Sequence, residues 1–156
     1  MNTVERNLLV FEAHCLPNHH EFEVYGFSDF VYGERIIRTV DGQEFGLLTS
    51  EDVVAKELIE VLNEIYRNQL DEVDRAAHFN RVFGLTCDLL NGKQLDASVR
   101  IICPVCQSSQ VSYREAQPRR YKPFLIPRPS HEAWLDMSKG ERRLLIEEGL
   151  RARDLL

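Results

Sequence analysis

Along residues 1–48 apolar and polar positions repeat with a period near two, and from residue 49 the period lengthens to that of a helix. Residues 8–13, Leu-Leu-Val-Phe-Glu-Ala, form a short apolar strand candidate. In residues 21–25, Glu-Phe-Glu-Val-Tyr, charged and apolar side chains alternate as in a half-buried strand. A turn over residues 15–20 separates the two. A third strand over residues 34–40 runs into Asp41-Gly42, a dipeptide suited to the positive φ of a tight hairpin, and residues 44–48 return from it. Thr49 or Ser50 then caps a helix whose apolar stripe is Val54, Leu58, Val61, Leu62 and Ile65. A second helical pattern takes Leu70, Val73, Ala77, Val82, Phe83, Leu89 and Leu90, with an interruption near Gly84 and a stop at Asn91-Gly92. The two patterns predict a helical hairpin.

Residues 98–102 and 110–114 read as two further short strands, which places Cys103 and Cys106 at the tip of a β-hairpin. Beyond them Pro118, Pro123, Pro127 and Pro129 disfavour regular structure and favour an extended arm. Ser138 with Glu141 three residues later matches a capping box and opens a terminal helix. The chain is therefore expected to be α+β, in three parts. Residues 1–112 form a β-hairpin domain with a helical insertion at 50–92, residues 113–130 a Pro-rich basic arm, and residues 131–156 a helical segment.

Composition narrows the class. With 156 residues, 44% apolar and 28% charged, the chain can bury a core, and its longest apolar runs are far shorter than the roughly 20 residues a bilayer requires. Residues 1–7 lack the basic start and apolar stretch of a secretory signal, so the expected location is cytoplasmic, with no membrane partner. The net charge of −6 is unevenly spread. Residues 1–110 hold nine basic and eighteen acidic groups, whereas residues 111–130 hold five basic groups against the single Glu115.

Four cysteines are too few and too unevenly spaced for a disulfide scaffold, and two of them form Cys103-Pro104-Val105-Cys106. Tetrahedral zinc needs four soft or borderline ligands, and one Cys-x2-Cys turn supplies half of them. The dense source for the other half is the group His14, Cys15, His19 and His20, in which Cys15 and His19 have Cys-x3-His spacing. Thiol redox chemistry is the rival use of the dithiol, but it needs a helix opening at the cysteines. Residues 107–113, Gln-Ser-Ser-Gln-Val-Ser-Tyr, are poor helix formers. Cys87, inside a helical pattern, reads as a small buried apolar residue.

Phe11-Glu-Ala-His-Cys15, then His20-Glu-Phe-Glu-Val24 and Phe27-Ser28-Asp29, with Cys103-Pro-Val-Cys106-Gln as a second knuckle, resemble the FmdB-type bacterial zinc ribbon over about 35 residues. The resemblance implies a split zinc ribbon of short antiparallel strands in a bacterial protein, with Zn2+ held by Cys15, Cys103 and Cys106. Where that family carries its second cysteine this chain has Asn18, a poor zinc ligand, so the fourth ligand falls to His19, with His20 as the alternative. An insertion of 87 residues separates Cys15 from Cys103, which is inexpensive because closure entropy grows only with the logarithm of loop length.

No Gly-rich phosphate loop, activated nucleophile or catalytic carboxylate pair is recognisable. The expected role is a zinc-binding, non-enzymatic interaction or adaptor protein that meets a protein partner or a second copy of itself. Partner-binding candidates are Arg114, Arg119, Arg120, Tyr121 and Lys122, whose interleaved charge and rings also suit nucleic acid over residues 113–128, and Trp134. A regulatory or nucleic-acid-binding ribbon is thus the first alternative, and a zinc-dependent or thiol enzyme the second.

Overall fold

A computed structural model describes residues 2–27, 33–49 and 51–156. Within it the chain is α+β, with two compact units that each draw on two stretches of sequence: residues 1–48 with 99–128, and residues 49–98 with 129–156. The expected separate arm and separate C-terminal segment are thus each absorbed into one of the two units.

The first unit is organised by one long strand, β1 (Thr3–Cys15). Its C-terminal half pairs antiparallel with β2 (Glu21–Gly26), from Leu9↔Gly26 to His14↔Glu21, and with β6 (Val111–Glu115), from Phe11↔Glu115 to Cys15↔Val111. Its N-terminal half pairs with β7 (Tyr121–Pro127), from Thr3↔Pro127 to Leu9↔Tyr121. The expectation of an irregular Pro-rich arm is therefore corrected. Among the described residues β7 pairs with β1 alone, so Pro123 and Pro127, which have no N–H to give, sit on a strand that owes hydrogen bonds to one side only. Residues 99–102 form no strand, so the expected hairpin around Cys103 and Cys106 is corrected as well: the partner that β6 selects is β1. β3 (Glu34–Thr39) and β4 (Phe45–Thr49) form the expected hairpin, with Gly42 at φ +73° in its turn. Leu8, Leu47 and Ile126 are fully buried together, and Tyr25, Phe45 and Phe124 pack around them.

The second unit holds the helices. α1 (Val53–Ile65) buries Val54, Leu58 and Leu62 at helical spacing. Its cap is Asp52, whose side chain accepts from Val54 N–H, and not Thr49; Ser50, the other expected cap, lies outside the described residues. α2 (Glu72–Val82) is capped by Asp71 and tightens into a 3-10 turn over Phe83–Thr86, ending before the expected stop at Asn91-Gly92. The end falls at the interruption read near Gly84, where the structure requires a glycine. A Cβ there would lie 1.7 Å from the carbonyl oxygen of Leu95, in the two-residue strand β5 (Leu95–Asp96), so that backbone lies where a side chain would stand. α3 (Glu132–Leu135) leads into α4 (Lys139–Ala152), where Ser138 and Glu141 form the capping box read from the sequence. No helix among the described residues is long and apolar enough to cross a membrane.

Candidate metal centre

Cys15 ends β1, and His20 stands just ahead of β2, so the turn between these strands carries both. The pairing of β1 with β6 continues past the strand ends, Leu16 N–H donating to Gln110 O at 2.9 Å, and this brings the turn over residues 103–108 beside the turn over residues 15–20. The two turns have the same backbone design. Cys15 N–H donates to His20 O at 2.9 Å and Cys15 O accepts from His19 N–H at 2.7 Å. Likewise Cys103 N–H donates to Ser108 O and Cys103 O accepts from Gln107 N–H, both at 2.9 Å. The fifth position of each turn takes the left-handed conformation, with φ 57° at His19 and 66° at Gln107.

The two turns contribute different positions to one cluster: the first and sixth residues of the first turn, Cys15 and His20, and the first and fourth of the second, Cys103 and Cys106. One ligand atom from each of Cys15, His20, Cys103 and Cys106 lies within 4.8 Å of all the others. Cys15 Sγ is 3.3 Å from Cys106 Sγ, and Cys103 Sγ is 3.4 Å from His20 Nδ1. Two sulfurs bound to one zinc at about 2.3 Å stand about 3.8 Å apart, and a disulfide requires about 2.05 Å, so the 3.3 Å spacing is too long for a disulfide and lies nearer that of two ligands on one ion; all four cysteines are free. Cys15 and Cys103 are fully buried, and His20 and Cys106 are half-buried.

Polar groups around the sulfurs prepare them for a cation. Asn18 donates its side-chain amide to Cys106, the backbone N–H of Ser108 points at the same sulfur, and together with Cys15 and His20 these pull the Cys106 thiol down to about 6. Burial has the opposite effect on Cys15 and raises it, with the backbone N–H of Asn18 in partial opposition. Asn18, aligned with Cys106 in the matching turn, thus serves the site by holding a thiolate. The four side chains could hold a metal ion.

His19, the ligand favoured on spacing, is exposed and outside the group; its left-handed backbone is the counterpart of Gln107 in the other turn. His20, the alternative, takes the place. His14 is exposed on β1, and Cys87 lies in the second unit with its thiol directed at Phe83 O. Ser28 and Asp29, part of the resemblance, lie outside the described residues.

The basic residues are largely committed to neighbouring acids and rings. Arg119 pairs with Glu115 at 3.0 Å, Arg120 with Glu23 at 2.8 Å and Glu12 at 3.7 Å, and the Lys122 ammonium lies over Tyr25 and Phe124. Arg114 and Tyr121 are exposed on β6 and β7. Trp134 is only 1% exposed: its indole N–H donates to Glu57, and the Arg142 guanidinium lies 5.2 Å from the ring, so the side chain is spent inside its own unit. Comparison of the chain with protein-family models, with curated proteins and with solved structures finds no match.

Proposed function

We propose that the chain is a zinc-binding interaction protein in which Cys15, His20, Cys103 and Cys106 hold one structural Zn2+ in a split ribbon. The observation that carries this reading is the convergence of four soft or borderline donors within 4.8 Å from two turns of the same backbone design. Three thiolates and an imidazole favour zinc over magnesium or calcium, which take oxygen ligands. With four protein donors a tetrahedral ion has no free position for substrate, which supports a structural role. Such a metal ties residue 15 to residue 103 and leaves the surface to act. Tyr113, Tyr121 and Leu125 stand exposed on β6 and β7, side chains of the kind that protein interfaces favour, so a protein partner or a second copy of the chain is the partner class proposed.

The test is metal analysis of protein purified without added metal, with unfolding followed before and after chelation. The expected result is near-stoichiometric zinc, lost in Cys103→Ser together with a large part of the first unit's stability. Metal-free protein that folds equally well would overturn the proposal.

A further inference from the structure

The two faces of the β2-β1-β6 sheet differ in character. Glu12, His14, Glu21 and Glu23 share one face, where Arg120 is answered by two carboxylates. The opposite face carries Phe11 and Val24, which are cross-strand partners, Tyr113, and at its end Glu115, which is paired with Arg119. Over it lies a cleft of about 500 Å³ that Arg38 of β3 and Arg100 also line, a size within the usual range of small-molecule sites.

Charge in this cleft is one-sided. The chain has 25 acidic and 19 basic residues, yet among the described residues no carboxylate lines the cleft. Neither guanidinium has a hydrogen-bond or ion-pair partner among the described residues. Arg38 is the more telling of the two, because burial of its guanidinium depresses its pKa, and the neighbour acting on its charge is the Tyr113 phenol. A half-buried cation without a counter-charge costs stability that an incoming anion would restore. Beside it the Phe11 and Tyr113 rings meet edge to face, centroids 5.9 Å apart at 86°, and Tyr113 remains 55% exposed, so an aromatic face is open to a flat ligand.

We propose that this cleft binds a nucleotide unit, its phosphate between Arg38 and Arg100 and its base against Tyr113. Arg presents a planar fork that matches phosphate oxygens, and stacking on an aromatic side chain accepts any base. The site shares no residue with the metal centre and does not depend on which ion fills it. The unit is supplied either as a free mononucleotide or as part of a single strand.

The test is fluorescence anisotropy of a labelled single-stranded oligonucleotide at low salt, with AMP and inorganic phosphate as competitors, on protein of verified metal content. Binding is expected to weaken with added salt, and to fall about tenfold or more in Arg38→Gln, Arg100→Gln and Tyr113→Leu, while Arg119→Gln leaves it unchanged. Displacement of the strand by AMP assigns the site to a free nucleotide; binding of the strand that AMP fails to displace assigns it to single-stranded nucleic acid. Arg100 is exposed, so its replacement leaves the fold intact and keeps the test decisive if Arg38→Gln unfolds. Absence of binding by both probes at low salt, or binding indifferent to Arg38→Gln and Arg100→Gln, overturns the proposal. Competition by inorganic phosphate equal to that by AMP, with no effect of Tyr113→Leu, overturns its aromatic half.

Discussion

Replacing His131 by Gln removes a buried charge network of the second unit. His131 is 8% exposed. Its Nε2–H donates to Asp52 Oδ2 at 2.8 Å and its Nδ1–H to Thr86 O at 2.9 Å, so both ring nitrogens act as donors and the ring is an imidazolium. Burial works against that charge, but Asp52, Cys87 and Thr86 overcome it and push the pKa up to about 10. A folded value above the unfolded one means that the stabilisation is complete below about pH 6.5 and is lost as pH rises towards 10. The full shift would correspond to about 5 kcal/mol at about 1.4 kcal/mol per unit. Asp52 keeps 14% of its side chain in water, and screening there reduces the expected loss to about 2 to 3 kcal/mol. On the acid side Asp52 and Asp88, both depressed despite burial, contribute fully above their ordinary range and lose that contribution as pH falls below it towards their lower folded values. Trp134 is the only tryptophan and lies in this unit, so its fluorescence in urea reports the relevant transition. Wild-type protein is expected to exceed His131→Gln in stability by about 2 to 3 kcal/mol near pH 6 and by little near pH 10. A gap that stays constant between those pH values would refute the reasoning.

Local periodicity made the individual elements legible, and their partners were not. The β3–β4 hairpin and the α1 stripe follow from short-range pattern and a turn dipeptide alone. β7 did not, because its prolines argue against a strand until β1 is seen to offer a single-sided partner along Thr3–Leu9. The early end of α2 was legible as the interruption near Gly84 but not in its cause: the glycine reads as a weak point in a helix, whereas the structure requires it for the passage of Leu95.

The candidate metal centre was legible in its cysteines, and its histidine, His20, was read only as the alternative to His19, for a physical reason. Spacing counts residues but does not say which way a side chain points. Each turn sends its fifth residue into the left-handed region, at His19 as at Gln107, and neither joins the cluster; the first turn places its sixth residue, His20, there and the second its fourth, Cys106. Aligning Cys15-Leu-Pro-Asn-His-His with Cys103-Pro-Val-Cys-Gln-Ser puts Asn18 opposite Cys106, His19 opposite Gln107 and His20 opposite Ser108, so the alignment alone does not choose between the two histidines. The cleft at Arg38 and Arg100 had no signal in the sequence, since only the pairing of β1 with β2 and β6 sets its aromatic face.

Two further predictions follow from these contacts. Gly84→Ala is expected to destabilise the second unit by about 3 kcal/mol or more, because its Cβ would meet backbone that cannot move aside. Gly149→Ala, whose Cβ meets only the flexible end of Leu85 at 2.3 Å, is expected to cost less than half as much; equal losses in urea unfolding would contradict this account. The matching turns make a prediction about the ligands themselves. Asn18 occupies the position that Cys106 fills in the other turn and its side chain already reaches the Cys106 sulfur, so Asn18→Cys places a fourth thiolate at the ion. His20→Ala alone is then expected to lose metal, whereas the double variant Asn18→Cys/His20→Ala retains it. With cobalt(II) as the probe ion, the double variant is expected to show stronger sulfur-to-metal charge-transfer absorption than the wild type. If the double variant binds no metal, the two turns are alike in backbone only, and the equivalence drawn between Asn18 and Cys106 fails with it.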